Sequence, residues 1–205
     1  MFGDSSLEAC RGYLIPLRFW WHLQFPKSIK LRTLLYEKKP DISINALEFF
    51  TVIINYCAAR FVMSQEKLND DPYPVVLNVT DNTSALNWTV HTSKESLVGR
   101  VWARFFCGLL IGSPLGIKSK WIRTDENEVA DKISRIKKDE LKSSPHFSYD
   151  YKNLQQNFPE LKACRFFRPN PKLLSHLWQV LLQKRCPDLK VILAWTPQDL
   201  GKLCT

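Results

Sequence analysis

The chain lacks the cysteine patterns that mark a metal knuckle or a redox centre. Its six cysteines, Cys10, Cys57, Cys107, Cys164, Cys186 and Cys204, include no CxxC pair, and none has a zinc-like spacing to the four histidines. Scattered cysteines in apolar surroundings read as reduced core residues, which points to an intracellular compartment. No N-terminal signal peptide is visible, so the three glycosylation-like sequons at Asn78, Asn82 and Asn87 read as chance matches. Repeats and low-complexity tracts are missing too. The longest apolar stretch, Leu47 to Met63, is interrupted by Asn55 and Arg60 and is short for a bilayer span, so no membrane partner is expected. Acidic residues are in deficit: 20 Asp and Glu against 29 Lys and Arg, for a formal net charge of +9. Such a balance suits a polyanionic partner, although charge speaks to association and not to fold.

Hydrophobic residues make up 45% of the 205 positions and aromatics 12%, which excludes a disordered chain and supports one sizeable core. Asp4 stands only three residues from the start, which suggests a domain cut from a longer polypeptide. Gly12 to Pro16 and Phe19 to Phe25 read as two aromatic-rich strands. Pro26 to Asp41 is basic and reads as irregular. A helix is expected from a Ser43 cap to about Ser64, apolar around nearly its whole circumference. Val75 to Thr80 is a short apolar run of the kind found in central strands. A short helix capped by Asn82 or Thr83, a helix from about Lys94 to Leu110, a strand from Ile117 to Arg123 and a helix from Glu126 to about Leu141 follow. Antiparallel strands first and α/β units later indicate an α/β fold with a sheet covered on both faces. From Lys142 the character changes. Residues 1–141 read as one domain, and 142–205 as a linker with a mostly helical extension whose clearest element is Pro171 to Arg185.

Four acidic residues occupy distinctive settings. Asp4 lies in Gly3-Asp4-Ser5-Ser6, and Glu48 sits inside the apolar helical run, where a charge is costly unless it is paired or binds a metal. Asp81 ends the central strand in Thr80-Asp81-Asn82. Asp131 lies in Asn127-Glu128-Val129-Ala130-Asp131-Lys132-Ile133-Ser134-Arg135. Three have an ordinary reading: Asp4 as a turn former, Glu48 as a solvent-facing edge residue, Asp81 as a helix cap. Brought to one end of a sheet, however, four carboxylates repel one another unless divalent cations hold them, which is the composition of a two-metal phosphodiesterase site.

In this order the four motifs resemble the ribonuclease H domain that accompanies reverse transcriptases, with a flavour similar to retrotransposons of the tyrosine-recombinase (DIRS) type. The resemblance rests on Asp4-Ser5-Ser6, Asn45-x-x-Glu48, Thr80-Asp81-Asn82 and Asn127-x-x-Ala130-Asp131-x-x-Ser134-Arg135, and covers roughly the first two thirds of the chain. It implies a ribonuclease H-like fold, with a mixed five-stranded sheet flanked by helices. It implies hydrolysis of the RNA strand of an RNA–DNA hybrid, with Asp4, Glu48, Asp81 and Asp131 as catalytic metal ligands. Two Mg2+ ions are the implied cofactors, with Mn2+ as a substitute. Ser5, Ser6, Asn45, Asn82, Lys94 and Arg100 are the implied nucleic-acid contacts, and the reverse transcriptase portion of a parent polyprotein the implied protein partner. The loop before Asp131 carries no His, unlike many cellular relatives of that family, and no separate basic helix is obvious between Asp81 and Ile117, although Lys94, Arg100 and Arg104 supply some charge. A fold kept for nucleic-acid binding or polyprotein connection without catalysis is therefore the alternative, and an integrase of the same fold is a third reading.

Overall fold

A computed structural model describes residues 1–34, 42–66, 74–91, 96–134 and 159–204. The chain opens with a meander: β1 (Phe2–Ser5), β2 (Ala9–Leu14) and β3 (Phe19–Gln24), each antiparallel to the next. Helices α1 (Lys27–Leu34) and α2 (Ile44–Glu66) follow. Then come β4 (Val75–Thr80), α3 (Thr83–Trp88), α4 (Leu97–Ile111) and β5 (Gly116–Trp121), with β4 parallel to both β1 and β5. A single 3₁₀ turn, Thr124–Asn127, leads into α5 (Glu128–Ser134). The described part of the C-terminal segment contains β6 (Arg165–Pro169), α6 (Pro171–Gln183), α7 (Leu189–Leu193), α8 (Pro197–Leu200) and β7 (Gly201–Cys204).

The result is an α/β molecule in which the described residues form one mixed sheet of seven strands in the order β5-β4-β1-β2-β3-β6-β7. Seven strands replace the five expected. The two additions come from the segment read as mostly helical: β6 runs parallel to β3, and β7 is antiparallel to β6. Sequence patterning hides them because each is only four or five residues long and ends at a Pro or begins at a Gly. The boundary placed at 141/142 lies outside the described residues.

Helix α2 is the spine. It is long and apolar enough to cross a bilayer, but protein encloses it. Leu47, Phe49, Phe50, Ile53, Ile54, Cys57, Ala58 and Val62 are all fully buried. It packs on β1 and β2, and α4 and α6 cover its outer side. Phe50 stacks on Trp178 of α6 at 4.9 Å and meets Trp102 of α4 edge-on at 6.0 Å, so one ring of α2 joins both outer helices. The opposite face of the sheet carries α5 and a smaller cluster of Tyr13, Trp20, Ala130, Leu161 and Phe166.

Close approach of α2 to the meander depends on Gly3 and Gly12, which face each other across β1 and β2. A Cβ on Gly12 would lie 1.9 Å from Asn55 Oδ1, and one on Gly3 would lie 2.6 Å from Thr51 Cγ2. Into that space Asn55 fits, accepting a hydrogen bond from Trp21 Nε1 at 2.8 Å and donating to the Phe2 carbonyl at 3.3 Å. Lys27–Leu34, expected to be irregular, is helical because Pro26 opens the first turn and Ile29 and Thr33 bury one side. The helix expected from Glu126 starts instead at Glu128. The turn before it is closed by the Glu126 carboxylate, which accepts from Arg123 N at 3.3 Å.

Candidate metal centre

Asp4 is the third residue of β1, a central strand despite its four-residue length. All four β1 residues pair with β2, and the Met1 carbonyl accepts from Val79 N of β4 at 2.8 Å. Because β1 and β4 are parallel, their C-terminal ends share one edge of the sheet, and Asp81 follows the last residue of β4. Ser5 ties that edge to the first turns of α2. Its backbone N–H donates to Glu48 Oε1 at 3.0 Å, and its hydroxyl donates to the Leu47 carbonyl at 3.0 Å and lies 2.9 Å from Thr51 Oγ1. This staple sets Glu48 beside Asp4.

Asp4, Glu48 and Asp81 thus each offer a carboxylate oxygen, all within 4.8 Å of one another. Asp4 and Glu48 are buried and Asp81 is half-buried. Burial, and then the neighbouring Asp4, push the Glu48 carboxyl well above its ordinary value, with Asp81 adding to the rise and the Ser5 N–H opposing it. An all-oxygen donor set this crowded fits a hard divalent cation such as Mg2+ or Mn2+ and would be relieved of its repulsion by one.

Asp131 stands outside that group of three. It is half-buried on α5, which packs on β1 and β2, and its charge acts on Arg11. Arg11 is the residue that sequence reasoning missed. It sits opposite Asp4 in the β1–β2 register, fully buried, with Nη2 4.0 Å from Asp4 Oδ2. Burial lowers its pKa to about 10, while Asp4, Glu48 and Asp131 hold the charge on. The next strand places His22 opposite Arg11, so Asp4, Arg11 and His22 form a polar row across three strands. Burial, and then Arg11, push His22 well below its ordinary value. The signal was the period-two pattern of the hairpin, in which Arg11 shares a face with Tyr13; starting the second strand at Gly12 concealed it.

Asn82 caps α3, its Oδ1 accepting from Ala85 N at 2.9 Å, and its Nδ2 donates to Asn45 Oδ1 at 2.9 Å. This amide pair links the first turn of α2 to the turn that carries Asp81. Ser5 is buried with its hydroxyl turned inward, and Ser6 closes the β1–β2 turn by accepting from Ala9 N at 3.1 Å. Arg100 is exposed on α4, and Lys94 lies outside the described residues. Asn127 was read only as part of a motif. It is buried and donates to the Gly3 carbonyl at 3.1 Å, fastening the start of α5 to β1. Among the tryptophans, Trp20, Trp21 and Trp102 are fully buried, whereas Trp121 is 47% exposed. Its indole N–H donates to the Asp81 carbonyl at 3.0 Å, so an exposed ring borders the cluster.

No family model, curated protein or solved structure matches the chain.

Proposed function

We propose that this chain is a metal-dependent ribonuclease that hydrolyses the RNA strand of RNA–DNA hybrids, of the ribonuclease H type found beside retroelement reverse transcriptases. The observation that carries the reading is the convergence of Asp4, Glu48 and Asp81, from a strand, a helix and a strand end, on one edge of a mixed sheet. A meander followed by parallel βα units supports the ribonuclease H-like form of the α/β fold.

Divalent cations held by Asp4, Glu48 and Asp81, with Asp131 as the fourth ligand, would activate water and stabilise the departing 3′ oxygen, leaving a 5′ phosphate. The chain's own groups prepare that chemistry. Ser5 N–H fixes one Glu48 oxygen, and the Trp121 indole fixes the backbone of Asp81. We assign recognition of the ribose 2′-hydroxyl, which distinguishes RNA from DNA, to the Asn45–Asn82 amide pair beside the carboxylates. The exposed face of Trp121 suits stacking against a sugar or base at the same rim.

The test is incubation of a labelled hybrid with Mg2+ beside an Asp81→Asn control. The wild-type chain cuts only the RNA strand, and the variant loses at least about a hundredfold in rate, the scale of removing one group that acts in the transition state. Equal cutting by both proteins, or cutting by neither, would refute the enzymatic reading. Two observations favour the second reading, a nucleic-acid-binding module without catalysis. Arg11 already sets a buried cation against Asp4, and Asp131 lies outside the group of three. That reading predicts salt-sensitive hybrid binding with no metal-dependent cut.

A further inference from the structure

The outer helices create a feature that the carboxylate centre does not use. Arg100, Val101 and Arg104 of α4 and Lys184, Arg185 and Cys186 beyond α6 line an open concavity of about 560 Å³. Four of the six are cationic, and no carboxylate is among them. Basic residues after α6 would by themselves be ordinary, since cations favour the carbonyl end of a helix. Arg100 and Arg104 lie one turn apart on a different helix, away from its carbonyl end, and are exposed. The chain brings the two sets together through Lys184, which adopts the left-handed conformation at φ 53° and ends α6 with a bond from its N–H to the Val180 carbonyl. A non-glycine residue there is uncommon and carries some strain. The reversal turns Arg185 and Cys186 back against α4, where Arg104 acts on the Cys186 thiol.

Trp102, between Arg100 and Arg104, and Trp178 of α6 both pack on Phe50, two residues beyond Glu48. The basic surface therefore lies outside the aromatic layer at the end of α2 that carries the carboxylate centre.

We propose that α4 and the segment after α6 together form a docking site for the phosphodiester backbone of the nucleic acid, distinct from the carboxylate centre and built in part by the C-terminal segment. Converging like charges are stabilised by a polyanion that releases its counterions on binding, and such contacts carry no sequence preference. This deepens the ribonuclease reading, but it is tested without catalysis. The full chain, in EDTA, is titrated against a fluorescent RNA–DNA hybrid at a series of KCl concentrations. The double variant Arg104→Glu/Arg185→Glu is expected to bind at least about tenfold more weakly. Its log–log salt dependence should be shallower by about 2, one unit for each lost phosphate contact. Lys162→Glu/Lys202→Glu makes the same change in net charge at exposed positions near β6 and on β7 and should bind as the wild type does. Equal weakening by both double variants, or no change in the first, would overturn the proposal. Asp81→Asn separates the two claims: loss of cutting with binding retained is expected. A wild-type chain that never cuts but binds through Arg104 and Arg185 would refute the ribonuclease reading and leave this one standing.

Discussion

At the scale of single residues, the centre is defined by where charge is buried. Glu48 holds its proton to higher pH in the folded chain than in the unfolded one, because burial and Asp4 disfavour its charged form. Its contribution therefore favours folding fully below the unfolded value of 4.5 and is lost as pH rises through the raised folded value. In EDTA the melting temperature should fall as pH rises above 4.5, and Glu48→Gln should flatten that fall while keeping an acceptor for Ser5 N–H. Saturating Mg2+ should stabilise the wild type at the upper pH and the variant much less, which scanning calorimetry reads directly. Arg11 plays the opposite part as the internal counter-charge. Arg11→Met leaves the buried Asp4 without it and should cost about 3 kcal/mol in urea unfolding under EDTA. If excess Mg2+ restores most of that loss, the guanidinium and the cation answer the same negative charge. If it restores nothing, Arg11 acts only through packing.

At the scale of elements, the site is made by the distance between α2 and the β1–β2 hairpin. Gly3, Gly12, Asn55 and Thr51 set that distance, and Ser5 transmits it to Glu48. A methyl on Gly12 would meet Asn55 Oδ1 at 1.9 Å and Trp21 Nε1 at 2.8 Å, both fixed by their mutual hydrogen bond. Gly12→Ala should therefore lower stability by about 3 kcal/mol and weaken Mg2+ binding together with it. Gly112→Ala is the contrast. Its added methyl would find its nearest neighbour at 3.6 Å, an ordinary contact, and its effect should stay within about 0.5 kcal/mol. Denaturant titration of the two variants side by side checks both. One of the two outermost strands of the sheet, β5, meets solvent with Lys118 and Lys120, whose charge discourages edge-to-edge pairing with another chain.

At the scale of the whole molecule, the C-terminal segment is part of the architecture. β6 and β7 extend the same sheet beyond β3, and α6 closes the core over Phe25 and Phe50 through Trp178. A chain ended after residue 158 would leave β3, with Phe19, Trp20 and Trp21, as an open edge strand and strip the outer face of α2. Such an edge, together with a large apolar patch, favours association. The shortened chain is expected to aggregate or to lose its cooperative thermal transition, as read by light scattering and circular dichroism. A monomeric, cooperatively melting product would show that residues 1–158 fold without the segment.

Sequence alone determined the parts whose physics is local. The central strand Val75–Thr80, the long apolar helix with a costly Glu48 inside it, a helix cap at Asn82 or Thr83 and the α/β order all follow from period, composition and capping chemistry. Those depend on residues a few positions apart. The three acids that converge were also nameable from their settings, because a carboxylate in an apolar run or at a strand end requires an explanation wherever the chain folds. Only the tertiary structure decided the rest, because it depends on pairing between distant segments. The register that sets Arg11 against Asp4 and the attachment of β6 to β3 are invisible to local pattern. So are the grouping of Asp4, Glu48 and Asp81 apart from Asp131, and the meeting of α4 with the turn after α6. Residue type says that a charge must be answered, and three-dimensional packing chooses what answers it.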